Sequence, residues 1–291
     1  MEKAENVEDA GKVENAGIME NEKISVIMGI YNCAEYLPAA VESILAQTYT
    51  NWELILCDDA STDKTYEIAE KYKDKYPDRI ILLRNKKNRK LAFSLNRCLK
   101  HATGKYVARM DGDDMCRPDR FEKQVGFLRR HREYDLVGSA MQRFDSNGPG
   151  YINYSVDHPD YYTLRNRNPF HHATILTYKY VYDKVKGYTV APRTERGQDI
   201  DLWFKFYHEG FKGYNLREPL YLVREDRSAV RRRSAQVRVN AFKTKMIGFR
   251  LLNYPRHWIL VSGGVSFLKC LVPYPAMDLY RQVQRKLSRL Q

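Results

Sequence analysis

The sequence has few cysteines, and their placement argues against two kinds of stabilised protein. The five cysteines among 291 residues are scattered, odd in number and never form a CxxC pair. Neither a disulfide framework nor a cysteine zinc site fits this pattern. We therefore expect reduced thiols in a cytosolic protein.

Long apolar runs are also scarce. The first 22 residues are acidic and polar, so they do not resemble a signal peptide, and we expect the folded body to stay inside the cell. The most apolar stretch, residues 258–272, is interrupted by Lys269 and is shorter than the roughly 20 residues that span a bilayer. This stretch fits either a peripheral contact with the inner face of a membrane or a helical cap on the folded body.

Acidic residues are in the minority. The chain has 49 basic and 36 acidic residues, a net charge of +13, and seven of the acids lie within residues 1–22. A basic body of this kind binds polyanions, such as nucleic acid, anionic lipid or phosphorylated small molecules. Because no helix-turn-helix, zinc or RRM pattern is present, we do not expect nucleic acid as a partner.

The order of apolar patterns predicts an α/β fold. Predicted strands at 24–30, 52–57, 79–83 and 105–110 alternate with predicted helices at 35–47, 62–75 and 91–101. This alternation predicts a mostly parallel sheet with helices on both faces. Ligands bind at the carboxyl ends of the strands in such a sheet.

The chain divides into three predicted parts. Residues 1–22 form an acidic extension without strong apolar periodicity, which we expect to be disordered. Residues 23–224 form one domain, whose second half contains predicted strands at 136–144 and 173–177, a helix at 199–208, and extended pieces at 211–216 and 220–223. Residues 225–291 form a basic, helical and amphipathic region. Its basic residues include Arg227, Arg231, Arg232, Arg233, Arg238, Lys243, Lys245 and Arg250.

The acidic segment from Asp111 to Asp114 follows directly after the predicted strand at 105–110. Carboxylates this close repel one another unless a cation lies between them. Mg²⁺ and Mn²⁺ prefer such oxygen ligands and often complete their coordination with substrate phosphates. An isolated motif of this kind would instead suggest a solvated turn, but its position at a strand end favours a metal site.

Two further acidic motifs have both a structural and a functional interpretation. Asp58 and Asp59 end the second predicted strand, where Ser61 to Asp63 suit the start of a helix while the two aspartates repel each other. Asp199 and Asp201 lie in the first turn of a predicted helix, where the helix dipole favours acids. Either of the last two aspartates could be merely structural.

Together these motifs resemble the family 2 glycosyltransferases of the GT-A fold. The resemblance covers roughly residues 23–234, and it depends on the three motifs occurring in this order. It also includes connecting landmarks at residues 29–32, 88–96, 104–109 and 168–172.

The resemblance implies a role for each matching residue. Asp199 corresponds to the general base, and Asp111 and Asp113 to the ligands of Mn²⁺ or Mg²⁺. His172 and Gln198 correspond to candidate contacts to the acceptor or to phosphate. The residues that correspond to contacts to the donor nucleotide are Ile30, Tyr31, Asp58, Asp59, Asn88, Arg109 and Asp111.

The resemblance also implies an activity. We expect metal-dependent transfer of a sugar, with inversion, from a nucleotide diphosphate, most simply UDP, to a hydroxyl of a glycan or lipid-linked oligosaccharide in surface-polysaccharide synthesis. The alternative is a non-catalytic sugar-nucleotide-binding protein on the same scaffold. Three positions depart from the family pattern: Gln198 where an acid is common, Lys90 where glycine is common, and Arg224 where many relatives have a histidine that can join the metal.

Overall fold

A computed structural model describes residues 22–146, 148–225 and 235–271. Within these ranges the strands are β1 (Ile24–Ile30), β2 (Trp52–Asp58), β3 (Ile80–Arg84), β4 (Tyr106–Arg109), β5 (Met115–Cys116), β6 (Leu136–Asp145), β7 (Gly148–Asn153), β8 (Leu176–Tyr178) and β9 (Gly213–Arg224). The helices are α1 (Leu37–Leu45), α2 (Thr65–Lys75), α3 (Leu91–His101), α4 (Arg120–Arg130), α5 (Tyr161–Asn166), α6 (Lys179–Lys184), α7 (Gln198–His208), α8 (Ala235–Leu251) and α9 (Arg256–Leu271). Two short 3-10 turns lie at His172–Thr174 and Pro192–Thr194.

All of these strands belong to one sheet, in the order β3-β2-β1-β4-β8-β6-β9-β5, with β7 beside β6. Strands β1 to β4 pair in parallel, as the βα alternation predicted. Strand β8 then runs antiparallel to both β4 and β6, while β6 and β9 are parallel. The carboxyl ends of β1 to β4 therefore meet at one edge of the sheet.

Helices cover both faces of the sheet, which confirms the predicted layers. Side chains alternate between the faces along a strand, so Val26 and Met28 of β1 pack in one hydrophobic cluster with Leu37 of α1. Ile27, on the opposite face, packs in a second cluster with Leu95 of α3. The central strand β1 is thus apolar on both sides, as buried parallel strands are.

Helix α8 packs against α7 in the second cluster. Phe249 and Tyr254 are buried there together with Phe204 of α7. A Cβ atom on Gly248 would lie only 2.1 Å from the Phe204 ring, so glycine permits this close approach. The described part of the basic C-terminal region is therefore attached to the helix that begins at Gln198.

The structure describes only part of the predicted acidic extension and of the predicted basic C-terminal region. Residues 1–21 and the basic residues Arg227 and 231–233 lie outside the described residues. Glu22 is buried and forms ion pairs with Lys105 and Arg129. Among the described helices, none combines the length and apolar content needed to cross a membrane.

Several short elements were not predicted. Strand β7 begins at Gly148 and pairs with β6, and the two extended pieces after residue 210 form one strand, β9, whose register shifts near Pro219. The strand expected at 173–177 is reduced to Leu176–Tyr178 by the preceding 3-10 turn. The described cysteine side chains are buried free thiols, as expected.

Candidate active site

A cleft of about 340 Å³ opens beyond the end of β4. Three separate segments line it: the residues after β4, the segment that leads into the 3-10 turn at His172–Thr174, and the start of α7. The polar side chains in the cleft are Arg109, Asp111, Asp114, Asn168, His171, His172, Gln198 and Asp199. Residues that are distant in sequence, including five predicted site residues, thus converge on one cavity.

Three carboxylates form a cluster at the end of β4. Asp111, Asp113 and Asp114 each offer an oxygen within 4.8 Å of the others. Burial and the neighbouring Asp111 and Asp113 charges raise the pKa of Asp114 to about 8, and burial with Asp111 also raises the pKa of Asp113. Such an all-oxygen set fits a hard divalent cation. Asp114 was not among the predicted ligands.

Arg109 lies beside this cluster at the end of β4. Its guanidinium is buried and makes a two-pronged ion pair with Asp111. Burial acts to lower the pKa of Arg109, but Asp111, Tyr221 and Tyr188 together outweigh that effect, so the net pKa is raised. Arg109 is therefore a permanent positive charge that acts on both the carboxylate cluster and Asp199.

Asp199 lies in the first turn of α7 and is partly buried. Burial raises the pKa of its carboxyl, while backbone N–H groups, Arg109 and the Asn168 side chain act in the opposite direction. Asp201, two residues further on, has a different environment, because its carboxylate accepts hydrogen bonds from Arg193 and Thr189. Only the first of these two aspartates lines the cleft.

His172 and Gln198 also line the cleft. Burial, and then Arg109, lowers the pKa of His172 well below its usual value, and its Nε2 lies 2.8 Å from the Tyr188 hydroxyl. A neutral imidazole that is hydrogen-bonded to Tyr188 fits a structural role for His172 better than a charged contact to phosphate. Gln198 accepts a hydrogen bond from the Gly197 N–H, and its amide NH₂ donates to no group within the described ranges.

Asp58 and Asp59 lie at the neighbouring strand ends and are both buried. The backbone N–H of Ser61 donates to Asp58, and Arg84 pairs with it at 3.4 Å. Asp59 accepts from the Asn85 amide at 2.6 Å and from the backbone N–H groups of residues 89 and 90, both at 2.8 Å. These contacts compensate the repulsion between the two acids, and Asp59 shapes the loop after β3.

The structure places the remaining predicted donor contacts around this pair. Ile30 is buried, and its carbonyl accepts a hydrogen bond from the Asp59 N–H at 2.9 Å. Tyr31 is 47% exposed, so its ring is available to a planar base. Asn88 lies in the loop after β3, where its side chain accepts from the Lys90 N–H.

The arrangement can be compared with known proteins. The family model described as glycosyl transferase family 2 matches residues 25–218, which is well over half of the chain. The chain belongs to glycosyl transferase family 2. It is 54% identical over 212 residues to the putative glycosyltransferase EpsE of Bacillus subtilis, covering 73% of this chain and 76% of that protein.

Two further comparisons extend this family assignment. The amylovoran biosynthesis glycosyltransferase AmsE of Erwinia amylovora is 28% identical over 271 residues, covering 90% of this chain and 99% of AmsE. The crystal structure of S. aureus TarS 1–349 in complex with UDP-GlcNAc is 18% identical with a TM-score of 0.62, covering 80% of this chain and 67% of TarS 1–349. The chain is thus a glycosyltransferase with a GT-A fold.

The backbone at Lys90 has a conformation that suits glycine, the residue that the resemblance leads us to expect there. Its φ is +68°, a region that side-chain-bearing residues rarely adopt. Its N–H must nevertheless reach Asp59 at 2.8 Å, so the loop geometry is fixed by that contact. A lysine in this backbone conformation therefore costs conformational energy.

Replacing Lys90 by glycine should stabilise the protein by about 1 kcal/mol, because glycine adopts a positive φ without steric cost. Chemical denaturation at pH 7 would measure this gain in unfolding free energy. The matched variant Lys90→Ala keeps the strain and should show no gain. Equal stability of the glycine and alanine variants would contradict this explanation.

Sequence reasoning missed two contributors to the site, Arg120 and His171, and it did not predict the contacts of a third, Arg224. The guanidinium of Arg120 is buried and donates to the carbonyls of Arg109, Ala173 and Ile175, which ties the end of β4 to the 3-10 turn. Arg224 donates to the Asp113 carbonyl and lies against two aromatic rings. The Nε2 of His171 has no hydrogen-bond partner in the described part of the chain. These features depend on tertiary contacts that no local sequence motif predicts.

Proposed function

We propose that this glycosyltransferase transfers a sugar from a UDP donor to an acceptor hydroxyl by one displacement with inversion. The observation that carries the proposal is the shared cleft: Asp199 on α7 faces the same cavity as Asp111 and Asp114 at the end of β4. This shared cavity supports a role for Asp199 as proton acceptor in the same site as a group of acids suited to a metal ion. A single displacement needs both on opposite sides of the anomeric carbon.

The chain's own residues supply most of the chemistry. Asp199 takes the proton from the acceptor hydroxyl as the new glycosidic bond forms and the bond to the diphosphate breaks. Arg109 holds Asp111 in place and adds positive charge where the diphosphate leaves. Asp111 and Asp113, with Asp114 beside them, would hold the divalent ion, which supplies charge neutralisation for the departing diphosphate.

The donor side of the proposal rests on the strand ends of β1 to β3. The exposed ring of Tyr31 offers a stacking surface for a nucleobase, and the loop that Asp59 holds borders the same edge of the sheet. TarS, which shares the fold, was crystallised with UDP-GlcNAc. A uridine donor fits this arrangement, with Asp58, Asp59 and Asn88 forming the frame of the nucleotide pocket.

We propose a glycan or lipid-linked oligosaccharide as the acceptor, which agrees with the biosynthetic role in the name of AmsE. A lipid-linked acceptor would require the enzyme to meet a membrane surface. Four apolar side chains on α9 are about half exposed or more, namely Leu260, Val261, Val265 and Phe267. This set, the α9 apolar surface, lies on a strongly basic protein and fits peripheral contact with an anionic bilayer.

The membrane contact can be tested with vesicles. Replacing Leu260 and Phe267 together by glutamate should reduce co-sedimentation with phosphatidylglycerol-containing vesicles about tenfold or more, since two apolar side chains that would insert into the bilayer become charged. As the control, replacing Tyr151 and Tyr154 together by glutamate should leave vesicle binding unchanged, because these two side chains are also exposed but do not belong to α9. Equal losses in both variants, or none in either, would contradict the membrane role of α9.

The donor and the reaction can be tested in sequence. UDP-glucose, UDP-GlcNAc, UDP-galactose and GDP-mannose would be screened for thermal stabilisation with and without Mn²⁺, because a ligand of the native state raises the melting temperature. The stabilising donor would then be incubated with a synthetic GlcNAc diphosphate carrying an alkyl tail, and the anomeric configuration of the product read by NMR. Tight binding with no turnover on any acceptor would favour the non-catalytic alternative, and retention of configuration would refute the single displacement.

A further inference from the structure

Asp199 has one side-chain hydrogen-bond donor among the described residues. The amide Nδ2 of Asn168 lies 2.9 Å from Asp199 Oδ2. We propose that Asn168 is a positioning residue, which holds one oxygen of the base and leaves the other oxygen to take the proton from the acceptor. This inference rests on the proposed function, because it assumes that Asp199 is the base.

The segment that carries Asn168 is fixed by its next two residues. The carbonyl of Pro169 accepts a hydrogen bond from the buried side chain of Asn215 on β9, at 2.9 Å. The ring of Phe170 is buried and contacts the rings of Trp203 and Phe206 at centroid distances of 5.1 and 5.9 Å. Because both of those rings belong to α7, Asn168 is anchored to the helix that carries Asp199.

The chemistry of the pair assigns a direction to the contact. An ionised carboxylate can only accept hydrogen bonds, so the amide NH₂ of Asn168 must face it. A hydrogen bond of this kind stabilises the charged form and counters the effect of burial. It also fixes the rotation of the carboxylate, which places the free oxygen in a defined direction.

Other groups face Asp199 and must be kept constant in any test. From β4 and the residues after it come Arg109, Asp111 and Asp114; from the segment before and after α6 come His171, His172 and Tyr188. Of these, Arg109 lowers the pKa of Asp199. A change made only at Asn168 leaves all of them in place, so a shift measured at Asp199 reports the amide contact.

The first experiment needs no substrate. The titration of Asp199 would be followed by NMR of the protein labelled with ¹³C in the aspartate carboxyls, with its signal assigned by its loss in Asp199→Asn. The variant Asn168→Ala should raise the pKa of Asp199, and Asn168→Asp should raise it further through like-charge repulsion. Asn168→Gln, which keeps an amide donor, should bring the pKa of Asp199 part of the way back to its value in the unchanged protein. The matched control is Asn166→Ala, an exposed position two residues away.

The second experiment separates this inference from the proposed function. With the donor and acceptor found by the screen, Asn168→Ala should lower kcat about 10- to 100-fold, with unchanged KM for the donor, and move the acid limb of the kcat–pH profile upward. An unchanged pH profile in that variant, alongside an inactive Asp199→Asn, would overturn the positioning role alone. An active Asp199→Asn would overturn the base assignment and the role of Asn168 with it.

Discussion

Asp199→Asn should lower kcat by about 10²- to 10⁴-fold, the range that a general base contributes. Asparagine has the same shape but cannot accept the proton of the acceptor hydroxyl. The KM for the donor should be unchanged, because Asp199 lies on the acceptor side of the cleft in the proposed reaction. Steady-state transfer kinetics at saturating acceptor would measure both constants.

The loss should not come from unfolding. Burial raises the pKa of Asp199 above its usual value, so the ionised group is less favourable in the folded than in the unfolded protein at neutral pH. The neutral amide should therefore melt at the same temperature or higher. Asp183→Asn, which changes an exposed aspartate of α6, is the matched control and should retain full activity. Transfer at the normal rate by Asp199→Asn would refute the assigned base.

Removal of divalent ions should lower the rate of transfer about 100-fold or more, because neutralising the leaving-group charge stabilises the transition state by several kcal/mol. Activity should return on addition of Mn²⁺ or Mg²⁺ to the chelated protein. Asp113→Asn should raise the metal concentration needed for half-maximal activity, since Asp113 is the exposed member of the carboxylate cluster. Titration of each metal into the chelated enzyme would measure this.

A binding measurement provides the control for the metal experiment. UDP with Mn²⁺ should raise the melting temperature of both the unchanged protein and the control variant Asp119→Asn. In the unchanged protein the Asp119 carboxylate pairs with Lys123 and does not line the cleft. The same mixture should stabilise Asp113→Asn less. Full activity in the presence of chelator would contradict a metal cofactor and would leave Arg109 and Arg224 as the charges that face the diphosphate.

The first half of the fold was predictable because its signals are local. Strands β1 to β4 are runs of β-branched and apolar residues, and the helices between them have clear apolar periodicity, so element type follows from sequence. Strand β5 has only two residues, which is too short to show an alternating pattern. Strand β7 begins with glycine and proline, residues that do not predict a strand. Their pairing with β9 and β6 depends on contacts made only in the folded chain.

The candidate site shows the same division. The acids at strand ends and at the start of α7 could be identified because topology brings such positions together. Asp114 could not be separated from its neighbours by sequence, since its burial and its contact with the Arg224 N–H depend on β9. The sequence marked Lys90 as unusual, but the reason, a positive φ imposed by Asp59, is a tertiary property.

The packing of α8 on α7 has a consequence for expression of shorter versions of the protein. The family match ends at residue 218, whereas the hydrophobic cluster that contains Trp203 and Phe204 continues to Phe249 and Tyr254. A truncation at the family boundary would expose that aromatic surface to solvent and loosen the helix that presents Asp199. Recombinant fragments should therefore extend beyond Tyr254 to remain monodisperse and active.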